Sequence, residues 1–174
     1  MKLHIGCGRF NLGDDWVHID AEDYDFIKYK SVKVIPIKDN KVDLIYSSYL
    51  LHYFSPNDVR KVLMEWHRLM KDKAVLRISV PDAFRIMRMY NESKMNLDAA
   101  SSSLLGTVGQ VGFVKSMWDF TTMQKALNQC GFINIKRYDF WKTPHDCNDS
   151  ASIHYKDELI SLNIECYANK KNTV

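Results

Sequence analysis

Residues 3–8, LHIGCG, constrain this chain more than any other stretch. An apolar run stops at Gly6 and Gly8, and about a dozen residues later a second apolar run, Trp16–Ile19, stops at Asp20. Glycine opens backbone conformations closed to other residues and lets another group approach with no Cβ in the way. The pattern predicts strands at residues 2–6 and 17–20, with a bare turn at the tip of one and a carboxylate at the tip of the other. The link between them is too short for a helix of ordinary length with its two loops. A first helix that is shortened or missing is therefore expected.

Beyond this pair the chain alternates strand and helix signals. Strands are expected at residues 32–35, 42–47, 74–80, 132–141 and 158–168, and the run at 42–47 is apolar enough for burial on both faces. Ser55-Pro56 opens a helix whose apolar face is Val59, Leu63, Trp66 and Leu69. A second helix is expected from about Asp82 to Tyr90, and a third from the cap Asp119 to a left-handed end at Gly131. Residues 91–116, with three consecutive serines and Gly106, Gly109 and Gly112, have weak periodicity and read as an irregular, lid-like insertion. The sum is an α/β chain with a mostly parallel sheet and a closing antiparallel hairpin, in one domain over residues 1–174.

The glycine turn and Asp20 suit a nucleoside. A carboxylate at a strand tip accepts hydrogen bonds from ribose hydroxyls. A dinucleotide needs GxGxxG and a following helix whose N-terminus holds the diphosphate, but here Gly13 is misplaced and the helix has no room. The phosphate-loop pattern GxxxxGK(S/T) is absent. A ligand without phosphate, held by its ribose and a zwitterionic amino-acid end, fits better, and S-adenosylmethionine is such a ligand.

Composition narrows the partners. A formal charge of +3 with scattered basic residues gives no stripe for nucleic acid. No apolar stretch is long enough for a membrane span, and the strand-like start leaves no signal peptide, so a cytoplasmic protein is expected. Cys7, Cys130, Cys147 and Cys166 form no CxxC pair and stand at no zinc spacing from histidine. They read as reduced thiols, with Cys7 a small residue in the turn rather than a nucleophile. The methionines on the amphipathic stretches read as core filler, and no metal site is expected.

The middle of the chain resembles the class I S-adenosylmethionine-dependent methyltransferases. In that family a stretch similar to LPF-DNSFDLVYSSHVLEHF joins the third and fourth strands, and residues 35–54 here read IPIKDNKVDLIYSSYLLHYF. The family's following helix, its RVLKPGG turn and a strand ending near Pro-Asp are matched by VLMEWHRLMKDKAVLRISVPD at residues 62–82, and its LxxAGF by LNQCGF at residues 127–132. The chain is most similar to short bacterial methyltransferases with LNLGCG…GWVNVD, a group associated with cell-surface saccharide assembly.

The resemblance implies a Rossmann-like sheet of seven strands with the last antiparallel and inserted before the sixth. It implies S-adenosylmethionine as cofactor. Ile5, Gly6, Cys7 and Gly8 would run along its methionine part, Asp20 beside Ala21 would take the ribose, Pro36 and Ile37 would flank the adenine, and Ser47 and Ser48 would edge the sulfonium. Three departures stand out: His4 where many relatives carry an acid, His52-Tyr53 in place of Glu-His, and a turn at Lys71-Asp72-Lys73 without glycine.

Methyl transfer to oxygen calls for a proton acceptor, and His52, just after the fourth strand, is the candidate. Its alternative reading is a histidine that packs or caps. Tyr53 could shape the acceptor pocket, His18 shares a strand face with Asp20, and His145-Asp146 could form a base and its orienter or a solvated turn. The expected partners are a small-molecule or saccharide substrate and a second copy of the chain, with neither nucleic acid nor a membrane span. The competing function is a non-catalytic methyltransferase-like binder in a surface-polysaccharide assembly system.

Overall fold

A computed structural model of the chain describes residues 1–106, 113–143 and 149–171. Its strands are β1 (Lys2–Ile5), β2 (Trp16–Ile19), β3 (Ile27–Tyr29), β4 (Val42–Ser48), β5 (Met70–Pro81), β6 (Phe132–Arg137), β7 (His154–Tyr155), β8 (Glu158–Leu159) and β9 (Ser161–Ala168). The helices are α1 (Pro56–Leu69), α2 (Ala83–Asn91), α3 (Leu97–Leu105) and α4 (Phe120–Gln129). Seven strands form one sheet in the order β3-β2-β1-β4-β5-β9-β6, and β7 and β8 form a separate two-stranded ribbon. The β1–β5 pairings are parallel, while β9 runs antiparallel between β5 and β6. This is the mostly parallel sheet with an inverted closing strand that the sequence predicts.

Register sorts the two faces of the sheet. Leu3 lies beside Ile45, Ile45 beside Leu76 and Leu76 beside Cys166, one apolar row across four strands. The buried faces of α1 (Val59, Val62, Leu63, Trp66) and α4 (Met123, Leu127) pack on that side in one core. The opposite face carries His18, His4, Tyr46, Arg77 and Glu165 in register. No helix joins β1 to β2, as the short link requires. Leu12, Tyr138, Phe140 and Ala151, from loops and single helical turns, and Trp16 at the start of β2 cluster around Tyr46 on this side.

The Ser55 and Asp119 caps and the Gly131 end fall where the sequence places them, and Asp82 caps the second helix as well. Ser55 accepts from the Asp58 N–H, Asp82 from Arg85 and Asp119 from Thr122, and Gly131 leaves α4 at φ +87°. Two expectations are corrected. The third strand is Ile27–Tyr29 and not residues 32–35. The latter stretch is bonded by α1 side chains instead: Glu65 Oε1 accepts from the Ile35 N–H at 3.0 Å, and Arg68 donates to the carbonyls of Ile35 and Ile37. Within residues 91–116, expected to be irregular, residues 97–105 form α3, capped by Asn96. Serines at the middle of that helix blur its periodicity without preventing it. Among the described residues no helix is long and apolar enough to cross a membrane.

Candidate active site

The strand tips meet where the sheet order reverses, between β1 and β4, the position at which open α/β sheets bind ligands. Gly6 (φ +70°) and Gly8 (φ +49°) turn the chain there in left-handed conformations. The Gly6 N–H donates to the Ile19 carbonyl at 2.7 Å, which fastens the turn to β2. The Gly8 N–H donates to Asp20 Oδ2 at 2.7 Å, and the Glu22 N–H to Oδ1 at 3.0 Å. Two bonds leave lone pairs on both oxygens of a half-buried carboxylate. A Cβ on Gly8 would meet nothing within 4 Å, so the space above the turn is open.

A cavity of about 300 Å³ lies over this turn. Its floor is His4, Gly6, Cys7 and Gly8, with Phe10 beyond. One wall is Ser48, Tyr49, His52, Tyr53 and Pro81, from the tips of β4 and β5. The other walls come from later in the chain: Ser102, Ser103 and Gly106 at the end of α3, Val114, and Asp149, Ser150, Ile153 and Ile160. Four residues of the stretch expected to be lid-like thus line the cavity.

His52 sits in a single helical turn, Leu51–Tyr53, directly after β4. Its carbonyl accepts from the N–H groups of Lys115 and Ser116, which ties the returning chain to this wall. The ring is 4% exposed, lies 4.2 Å from the Tyr53 ring between centroids, and has its Nδ1 buried with no partner among the described residues. Burial pushes its pKa down to about 4, so the ring is neutral near pH 7. Tyr49 beside it holds φ +54°, an uncommon conformation for an aromatic residue, with its hydroxyl 2.9 Å from Ser161 Oγ. Burial, then the charge of Asp20, pushes the Cys7 thiol up to about 12, which keeps it protonated and fits its reading as a small turn residue.

Of the residues singled out in the sequence, Gly6, Cys7, Gly8, Ser48 and His52 line the cavity, and Asp20 joins it through Gly8. Ile5 and Ile37 are part of the main core. Ser47 is buried without lining the cavity, and Pro36 and Ala21 are exposed outside it. His18 accepts from the Leu12 N–H on Nε2 at 2.9 Å, which gives it a structural role in the β1–β2 link. His145, Asp146 and Cys147 lie outside the described residues. Sequence reasoning missed Tyr49 and Asp149. Asp149 carries the cap signature Asp-x-x before a turn, but nothing local marks it as reaching β4. Among the described residues no group of three or more His, Cys, Asp or Glu side chains is arranged to hold a metal.

The strand order and the position of the cavity define the class I methyltransferase fold. A S-adenosylmethionine-dependent methyltransferase from Methanosarcina mazei superposes with a TM-score of 0.64 at 12% identity, covering 97% of this chain and 92% of that one. One from Thermotoga maritima gives 0.61 at 15% identity over 95% and 80% of the two chains. One from Mesorhizobium loti gives 0.55 at 15% identity over 95% and 89%. At these identities the likeness speaks for the fold. The sequence has no significant match among curated proteins. Residues 13–78, which carry β2 through most of β5, match the methyltransferase domain family. That match spans 66 of the 174 residues, and over the whole chain the fold is that of S-adenosylmethionine-dependent methyltransferases. The residues present fit the S-adenosylmethionine used by such proteins: a glycine turn open where a Cβ would stand at Gly8, and a carboxylate with free lone pairs at the neighbouring strand tip.

Proposed function

We propose that the cavity over Gly6 and Gly8 takes the methionine end of S-adenosylmethionine, and that the chain methylates a nucleophile on a small molecule or saccharide. The observation that carries this is the bond from Gly8 to Asp20, which puts the turn and the ribose-binding carboxylate into one rigid unit facing open space. When bound, the cofactor supplies an activated methyl group on a sulfonium, so the protein's task is alignment and exclusion of water. Gly6, Cys7 and Gly8 would lie along the amino-acid end, Asp20 would accept from the ribose hydroxyls, and Ser48 would edge the methyl-bearing side. Pro36 and Ala21 are available on the outer side for adenine. The cavity lies at the small end of ligand pockets, which favours a compact acceptor group.

His52 is the proposed proton acceptor. Its ring is neutral at physiological pH and borders the cavity. A base of this strength does not ionise an alcohol beforehand. It serves late, because a hydroxyl proton becomes strongly acidic as the oxygen acquires the methyl group. Tyr53, against the His52 ring, would shape the acceptor's place.

Incubation with methyl-labelled cofactor and a panel of hydroxylated small molecules and saccharides tests the reading. Transfer is expected, and His52→Gln is expected to lower kcat by about 10²-fold or more, the usual size of acid–base assistance, with cofactor affinity unchanged. Cofactor binding with no transfer to any acceptor would instead favour the non-catalytic binder.

A further inference from the structure

We propose that Asp149 binds the α-ammonium of the cofactor's amino-acid end. This rests on the reading that the cavity over Gly6 and Gly8 holds that end. A zwitterion needs donors for its carboxylate and an anion for its ammonium. The glycine turn carries no charge, and Asp20 is outside the cavity wall, held by Gly8 and Glu22. Among the described residues lining the cavity, Asp149 is the one carboxylate, and no lysine or arginine lines it.

Its position is set by β4. Tyr46 lies in register with His4 on β1, two residues before Gly6, with the two rings 5.2 Å apart. The Tyr46 hydroxyl donates to Asp149 Oδ2 at 2.5 Å, and the Ala151 N–H donates to Oδ1 at 2.8 Å. The carboxylate therefore stands beside the end of β1, where the glycine turn begins. Asp149 is 5% exposed, and its two donors among the described residues, Tyr46 and Ala151, are neutral. No basic side chain forms an ion pair with it among the described residues. Two acceptor positions of a carboxylate's four are used, so room remains for a charged donor. A buried anion with only neutral partners is costly, and a bound ammonium offsets that cost. The same charge could in principle hold an amine acceptor, and the test separates the two.

The test is calorimetric titration of the wild type and Asp149→Asn with S-adenosylhomocysteine and with its deaminated analogue. Asparagine can keep the bond from the Ala151 N–H on its Oδ1 and donate from its Nδ2 to the Tyr46 hydroxyl oxygen, and a melting curve checks that it folds. The wild type is expected to prefer S-adenosylhomocysteine to the deaminated ligand by tenfold or more. Asp149→Asn is expected to lose that preference by weakening the first ligand alone. A wild-type preference near one overturns the proposal without need of the variant. A variant that keeps the wild-type preference overturns it too, even if the variant binds an amine acceptor poorly. Failure of the wild type to bind either ligand would bring down the cofactor-site reading itself.

Discussion

Gly8 and Asp20, twelve positions apart, are joined by a 2.7 Å hydrogen bond from the backbone of one to the carboxylate of the other. The bond spans a connection that contains no helix, so it replaces the packing that a helix would give the turn. Under the proposed function Asp20 thereby has two tasks, holding the turn's shape and offering its remaining lone pairs to a ribose.

Asp20→Ala is therefore expected to weaken S-adenosylhomocysteine more than tenfold in calorimetric titration, about 1.4 kcal/mol or more. It should also cost about 1–3 kcal/mol of stability in urea, because the Gly8 N–H loses its acceptor. Unchanged affinity would remove Asp20 from the site.

The two glycines should respond differently to alanine. A Cβ at Gly6 would lie 2.8 Å from Leu50 Cδ2, whereas one at Gly8 meets nothing within 4 Å. Both hold positive φ, which costs about 1–2 kcal/mol for an ordinary residue. Gly6→Ala should therefore lower the urea midpoint more than Gly8→Ala. Adding Leu50→Ala removes the two Cδ contacts but leaves the Leu50 Cβ at 2.9 Å, so it should recover part of the steric cost, and the double variant is more stable than the sum of the singles predicts. Simple additivity would show that Leu50 moves aside at no cost.

The framework was legible in the sequence because its strands are apolar runs and its helices carry caps at Ser55 and Asp119. The third strand was not. Ile27–Tyr29 is three residues long at the sheet's edge, with an exposed lysine in its middle. Residues 32–35 look more strand-like, yet their bonds go to Glu65 and Arg68, some thirty positions later. The candidate site divides in the same way. The turn, Asp20 and His52 are local to strand tips and could be read directly. Asp149 could not, since its meaning comes from Tyr46, 103 positions away.

The bond from Ile35 to Glu65 gives a test of that hidden contact. Glu65 is held ionised well below its usual range, chiefly by Arg68. Glu65→Ala leaves the N–H of buried Ile35 without an acceptor and removes a partner of Arg68. A loss of about 1–3 kcal/mol is expected in urea denaturation, with faster hydrogen exchange at the Ile35 amide. Glu65→Gln, which keeps an oxygen for Ile35, should lose less.

His52 should also leave a mark on stability. Its pKa is pushed down by burial to about 4 in the folded chain, against about 6.5 when unfolded. The unfolded state therefore binds more protons across this interval, and stability rises with pH through it. The contribution is complete above about pH 6.5 and lost as pH falls toward 4, on the order of 3 kcal/mol. His18 and His67 are lowered by burial as well and add slope in the same direction. The difference between wild type and His52→Gln, from urea denaturation at pH 4.5 and pH 7.5, isolates the His52 share. The variant should lose less stability on acidification than the wild type. Equal losses would mean that the His52 ring is solvated and free to take a proton, which would restore it as a base of ordinary strength.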